Sequence, residues 1–229
     1  MPLSGQNRRV TSTALPATTP RVLTDLGPIA QLRAGRLGRR LVQLYAGLVL
    51  YGLSIAMMVS GHLGVAPWDV LHSGLAKHLP ITLGEALVIV SFLVLVLWIP
   101  LREMPGIGTI SNAIVIGTST DLFLRVLHQP SAMWLRGSLM VGGVVVCGLA
   151  TAMYIGAQLG RGPRDGLMTG FARRTGLSLR LVRTLLEITV VVIGLLLGGV
   201  AGAGTVLYAL AIGPLTQAML PGWIIEVDS

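Results

Sequence analysis

The chain has 229 residues, 53% of them hydrophobic and 11% charged, with a net charge of +8. A soluble domain carries about 25% charged residues, so this composition, with a mean hydropathy of +0.78, belongs to the membrane class and excludes an ordinary soluble domain. Sixteen of the 17 basic residues are Arg, and they cluster at the ends of apolar runs, which reads as membrane topology rather than as a nucleic-acid surface.

Residues 1–40 hold Arg8, Arg9, Arg21, Arg33, Arg36, Arg39 and Arg40 against one acid, Asp25, with Pro2, Pro16, Pro20 and Pro28 between them. This reads as a basic, largely disordered arm over about 1–30, followed by an amphipathic lead-in. No apolar core lies near its start, so it is not a secretory signal. Its acid-poor, Ser/Thr-rich character resembles an organellar transit peptide, but a cytoplasmic arm that attracts anionic lipid is the simpler account. Six apolar spans follow, at about 41–61, 84–101, 106–127, 137–158, 182–200 and 203–220. Each is near the roughly 20 residues that cross a bilayer as a helix. The tail, 221–229, is short, and Trp134 and Trp223 suit the interfacial aromatic belt. The single cysteine, Cys147, lies in an apolar run, which excludes an intrachain disulfide and a Cys-based metal site. The 30 glycines fit close helix packing in lipid. With the N-terminus inside, fourteen Lys/Arg fall on the inner segments and three (Lys77, Arg125, Arg136) on the outer ones, so both termini are expected in the cytoplasm.

The stretch Leu63-Gly64-Val65-Ala66-Pro67-Trp68-Asp69-Val70-Leu71-His72-Ser73-Gly74 returns 96 residues later as Leu159-Gly160-Arg161-Gly162-Pro163-Arg164-Asp165-Gly166-Leu167-Met168-Thr169-Gly170. At that offset, 47–120 and 143–216 share 24 identities in 74 ungapped positions, among them Gly106/Gly202, Gly108/Gly204 and Thr109/Thr205. This reads as a duplication. Each copy has three spans, and an odd number inserts the second copy upside down. The Arg distribution agrees: loop 62–84 carries only Lys77, whereas its copy, 159–183, carries six Arg. The expected architecture is an all-α polytopic bundle of about six spans, in two inverted three-helix repeats over 41–127 and 137–220. Such repeats are common in secondary transporters.

Pro67 and Pro163 suit the first turn of a helix. Asp69 and Asp165 then meet the free N–H groups and positive end of that turn. One face continues as Asp69, Ser73 and Lys77, matched by Asp165, Thr169 and Arg173; the other carries Trp68 and Leu71, matched by Arg164 and Leu167. Each motif is thus an amphipathic helix of about 10–12 residues, too short to span, lying at the interface or dipping in as a re-entrant element. Two readings stay open. The Asp pair caps helices, or the two helix ends meet near the midplane and hold an ion, a proton or an anionic group.

Asn112, Asp121, Glu187 and Gln217 are polar residues within or near spans and are further candidates for a pathway; Asp121 with Arg125 and Glu187 with Arg183 also have local i,i+4 partners. Thr109 and Thr205 read as backbone-bonding residues. His62, His72, His78 and Glu85 surround one loop, but the spacing matches no zinc pattern and the second copy lacks the histidines. No metal or cofactor is expected. The absence of a Gly-Lys-Ser/Thr loop, a nucleophile elbow or His-Glu-x-x-His argues against an ATPase or hydrolase.

The segments Leu63 to Leu71 and Gly160 to Met168 resemble the bacterial YczE/YitT group of integral membrane proteins, over about residues 40–220. The resemblance implies a multi-pass inner-membrane protein. From the residues, the expected function is a small secondary transporter or permease, not an enzyme, whose pathway runs between the repeats. Asp69, Asp165, Pro67, Pro163, Trp68, Arg164, Ser73, Thr169, Asn112, Asp121 and Glu187 are its candidate solute- or ion-site residues. The alternative is a non-transporting assembly or regulatory partner that docks through its basic arm. The expected partners are the lipid bilayer and a small solute or ion, without nucleic acid; a homodimer is compatible with the sequence, but no residue pattern demands one.

Overall fold

The computed structural model describes residues 23, 24 and 26–227. They form α1 (Pro28–Arg33), α2 (Leu37–Gly61), α3 (Pro67–His78), α4 (Leu83–Leu101), α5 (Ile107–Leu124), α6 (Met133–Gly156), α7 (Pro163–Thr175), α8 (Leu179–Leu196) and α9 (Ala203–Trp223), with no strand among the described residues. Helix starts follow local chemistry. Thr82 and Glu85 exchange side-chain and backbone hydrogen bonds at the start of α4, and Ser178 accepts from the Leu181 N–H at the start of α8. Thr109 and Thr205 each accept from the N–H of the glycine three residues earlier.

Five helices, α2, α4, α5, α6 and α9, are long and apolar enough to cross a membrane. The sixth expected span, α8, has 18 residues but carries Arg180, Arg183 and Glu187 in its first half. It ends at Leu196 rather than at 200, because Gly198 takes a φ of 70° and the Gly199 N–H turns back to the Gly194 carbonyl. The outer helix faces are apolar and exposed, as at Ile99, Leu196 and Leu210, which is the arrangement lipid requires and water opposes.

The core is built on α2 and α6, which run antiparallel. Gly47 lies against Ala150, Met153 and Tyr154, and Gly143 against Ser54, Met57 and Met58. In lipid, helices associate through dispersion and close backbone approach rather than through a hydrophobic drive, which is why glycine occupies each crossing. α5 packs on α2 where Gly52 faces Ser119 and Thr120, and α9 packs on α6 where Gly148 faces Leu215 and Thr216. α3 lies on α8, and α7 on α4. The 96-residue offset recurs throughout these contacts. The Gly108 N–H donates to the Leu159 carbonyl at 2.7 Å, and the Gly204 N–H to the Leu63 carbonyl, also at 2.7 Å.

An arginine pair obeys the same rule. Arg136 Nε and Nη2 donate to the Gly61 and His62 carbonyls, both at 2.9 Å, where α2 ends. Arg40 Nε and Nη2 donate to the Ala157 and Gln158 carbonyls, where α6 ends. Each cation neutralises the orphan carbonyls and negative dipole end of the other copy's helix. His62 and Gln158 then take left-handed φ values of 49° and 54°, and Gly64 and Gly160 follow at 114° and 128°. Only glycine fits at Gly64, where a Cβ would lie 2.7 Å from the Gly202 nitrogen.

Arg40 is fully buried, and a buried guanidinium needs acceptors. The lead-in supplies two, the Gln31 carbonyl at 2.6 Å and the Gly35 carbonyl at 3.5 Å, while Thr24 donates to Gln158 Oε1 at 2.8 Å through both its N–H and its hydroxyl. The tail closes the other side: Gln158 Nε2 donates to the Ile225 carbonyl, and Gln43 Nε2 to the Trp223 carbonyl, both at 2.7 Å. The lead-in after Thr24 is therefore held against the end of α6. Of the arm expected to be disordered over about 1–30, residues 1–22 and 25 lie outside the described residues, while the part from Pro28 on is helical in α1.

Candidate functional site

α3 and α7, of 12 and 13 residues, begin at Pro67 and Pro163 after an extended Ala66 and Gly162. Their first turns meet in the interior. The Arg164 guanidinium stacks on the Trp68 ring, with Cζ 5.1 Å from its centroid, and Arg164 Nη2 lies 3.8 Å from Asp69 Oδ1. Stacking of this kind holds a cation without using its N–H donors. Asp69 is 1% exposed and His72 wholly buried, with His72 Nδ1 at 2.9 Å from Asp69 Oδ1. Asp69 thus spends its carboxylate on two side chains. Asp165 accepts instead from the Tyr154 hydroxyl and from the Gly162 backbone N–H, so only this member of the pair behaves as a helix cap. Tyr51 and Tyr154 stand with ring centroids 6.3 Å apart, and the Tyr51 and Tyr208 hydroxyls are 3.5 Å apart.

Two cavities meet at this cluster. Tyr51, Tyr154, Arg164 and Asp165 line both. The smaller, about 40 Å³, continues between α4 and α5 along Leu87, Ser91, Asn112 and Ile116. The larger, about 280 Å³, continues between α8 and α9 along Arg183, Glu187, Tyr208 and Ile212. These continuations are the same positions 96 residues apart: 87/183, 91/187, 112/208 and 116/212. The larger cavity runs from the cluster to Leu179, the first residue of α8, and to Thr216 and Gln217 late in α9.

The two halves differ in how α3 and α7 are seated. Trp98 of α4 fills the space beside Gly166 of α7, and its Nε1 donates to the Pro163 carbonyl at 2.9 Å. At the equivalent contact no indole intervenes, and Gly194 of α8 lies directly against the backbone of Val70 and Leu71 of α3.

Comparison with known proteins matches residues 38–221 to a family of unknown function, DUF6198. The chain belongs to that family. It is 39% identical over 173 residues to an uncharacterized protein of Haemophilus influenzae, covering 76% of this chain and 79% of that one. It is 33% identical over 181 residues to the uncharacterized membrane protein YczE of Bacillus subtilis, covering 77% and 83%. The Bacillus subtilis protein YyaS is 27% identical over 179 residues, covering 76% and 89%. No solved structure matches the chain. The protein is thus a YczE-type membrane protein of family DUF6198.

Of the candidate residues in this DUF6198 protein, Trp68, Arg164, Asp69 and Asp165 come together, and Pro67, Thr169 and Glu187 line the larger cavity. Asn112 lines the smaller one. Glu187 lies 2.8 Å from Arg183 Nε. Pro163 contributes through its carbonyl to Trp98. Two candidates stand apart. Ser73 donates to the Val70 carbonyl and accepts from the Val200 N–H, tying α3 to the α8–α9 turn. Asp121 accepts from the Thr82 hydroxyl and, at 2.8 Å, from the Gly84 N–H, so it caps α4 and lines a groove on the outer side of that helix rather than the central cavities. An acid near a span end can be satisfied by the start of a neighbouring helix, and that is where Asp121 stands. The sequence reading missed Tyr51, Tyr154, Tyr208 and the His72–Asp69 contact.

Proposed function

We propose that this protein is a small secondary carrier of the bacterial inner membrane, built from two inverted halves and alternating access to a site at Arg164 and Asp165. The observation that carries this reading is the pair of cavities lined by equivalent residues of the two halves and sharing one polar cluster. Antiparallel α2 and α6 and the reciprocal hydrogen bonds of Gly108 and Gly204 support the inversion. In this reading α8 is the sixth span, and its Arg183–Glu187 pair faces the path rather than lipid. With both termini inside, the larger cavity faces the cytoplasm and the smaller one the outer side. Unequal volumes at equivalent positions are what one state of an alternating carrier presents. Ionisable groups at this depth are costly to keep, and they concentrate where a pathway would run.

The test is solute entry into proteoliposomes, followed by light scattering after an osmotic step, with lactate, glycine, choline and inorganic phosphate as probes. The protein is expected to admit one of these classes faster than empty liposomes, and Asp165→Asn to slow that entry. Equal rates with and without protein for all four classes would overturn the carrier reading.

A further inference from the structure

We propose that Arg164 is the docking cation for a small monovalent carboxylate, and that the buried Asp69–His72 pair takes up one proton when the carboxylate occupies it. The inference rests on the carrier reading for its route in and out, but its binding chemistry stands on separate geometry.

Arg164 lines both cavities. It is held by the Trp68 face and by Asp69 at 3.8 Å, beyond hydrogen-bond distance, and by no hydrogen bond among the described residues. Its N–H fork therefore remains available to the planar, two-oxygen group it fits best. The other cation on the larger cavity, Arg183, is occupied by Glu187. This single guanidinium, with Asp69 and Asp165 already beside it, offers one docking point and no second cation for a phosphate dianion. Ile155, Met168 and Ile212 give that cavity an apolar side, across from the polar Thr169, Thr216 and Gln217, and that side suits a chain of a few carbons.

Charge balance then demands the proton. Arg164 is the cation nearest Asp69, which is 1% exposed. A carboxylate that takes Arg164 leaves Asp69 buried and uncompensated, which is strongly unfavourable. The pair next to it holds the remedy. An ionised carboxylate can only accept, so His72 Nδ1 carries the hydrogen in that contact and Nε2 keeps the lone pair. Nε2 is buried and has no hydrogen-bond partner. A proton adds there, or to Asp69 itself, and the pair becomes neutral overall as the anion enters. The groups facing the pair are few. Arg164 of α7 acts on both residues, and Tyr51 of α2 and Cys147 of α6 sense Asp69. From α4 and α8, Val90, Val94 and Val190 pack in one apolar cluster with Trp68, Leu71 and Leu75 of α3. Anion and proton would thus travel together without net charge.

Calorimetry of lactate binding to the detergent-solubilised protein tests this, run near neutral pH in two buffers of different ionisation enthalpy. The buffer dependence is expected to give about one proton taken up per lactate bound. Asp69→Asn should retain binding and lose the proton uptake, and Arg164→Gln should lose binding. Lactate binding without proton uptake by the unmodified protein would overturn the proposal, whatever the variants do. So would binding of inorganic phosphate or choline with none of lactate. The measurement needs no flux: lactate binding with a proton alongside proteoliposomes that admit no solute would sink the carrier reading and leave the site standing.

Discussion

Replacing Gly166 by Val drives a branched side chain into the Trp98 indole, because even a Cβ at that position overlaps the ring. The ring must move, and the 2.9 Å bond from its Nε1 to the Pro163 carbonyl breaks. Overpacking and one lost buried hydrogen bond together cost about 2–4 kcal/mol. Trp98→Gly empties a site only 3% exposed, at a cost of about 3–5 kcal/mol plus about 1 kcal/mol for glycine inside a helix. Independent effects would sum to about 6–10 kcal/mol in the double variant. Removing the indole also removes what the valine overlaps, and the equivalent positions of the other half, Gly194 and Val70, are already a glycine and a valine, with Gly194 against the Val70 backbone. The double variant should therefore fold about as well as Trp98→Gly alone, a coupling of about 2–3 kcal/mol in its favour. Unfolding by SDS titration in mixed micelles, followed by circular dichroism, measures all four corners of the cycle. Additivity within about 0.5 kcal/mol would refute the packing of α7 on α4 described above.

The two helix-end arginines should differ in worth. Arg40 is fully buried with four carbonyl acceptors, whereas Arg136 is half-buried with two. In the same titration Arg40→Ala should cost about 3 kcal/mol and Arg136→Ala about 1 kcal/mol, and Arg40→Lys should rescue little because one ammonium cannot reproduce the fork. Asp121→Ala should destabilise by about 1–2 kcal/mol through the start of α4, yet leave lactate affinity in calorimetry unchanged, since it stands outside the central cavities.

Much of this architecture is legible in the sequence because lipid leaves little choice. Apolar length sets the helices, and most ends fall within a few residues of the expected ones. The exceptions have local causes: α2 begins at Leu37 because Arg40 turns inward to the end of α6, and Gly198 stops α8 early. Proline at the first helical position marks α3 and α7, and the ungapped offset pairs their contacts. The arginine pair escaped because the register was counted from Gly47, although Arg40 and Arg136 stand at the same offset. The tyrosines escaped for the opposite reason. Tyr51, Tyr154 and Tyr208 fall opposite Cys147, Met58 and Asn112, so repetition hides them. A search for positions where one copy alone carries a tyrosine would have found them. Asp121 misled because depth along the chain does not tell which way a side chain faces.

The central claim is that one polar cluster is reached from opposite faces of the membrane through equivalent positions of the two halves. Cysteine accessibility tests it most directly. Ser91→Cys and Glu187→Cys, each in a Cys147→Ser background, place single thiols at equivalent points of the smaller and larger cavities. A membrane-impermeant maleimide applied to right-side-out and inside-out vesicles should label position 187 from the cytoplasmic side and position 91, more slowly, from the outer side. Labelling of both positions from the same side alone would contradict the account.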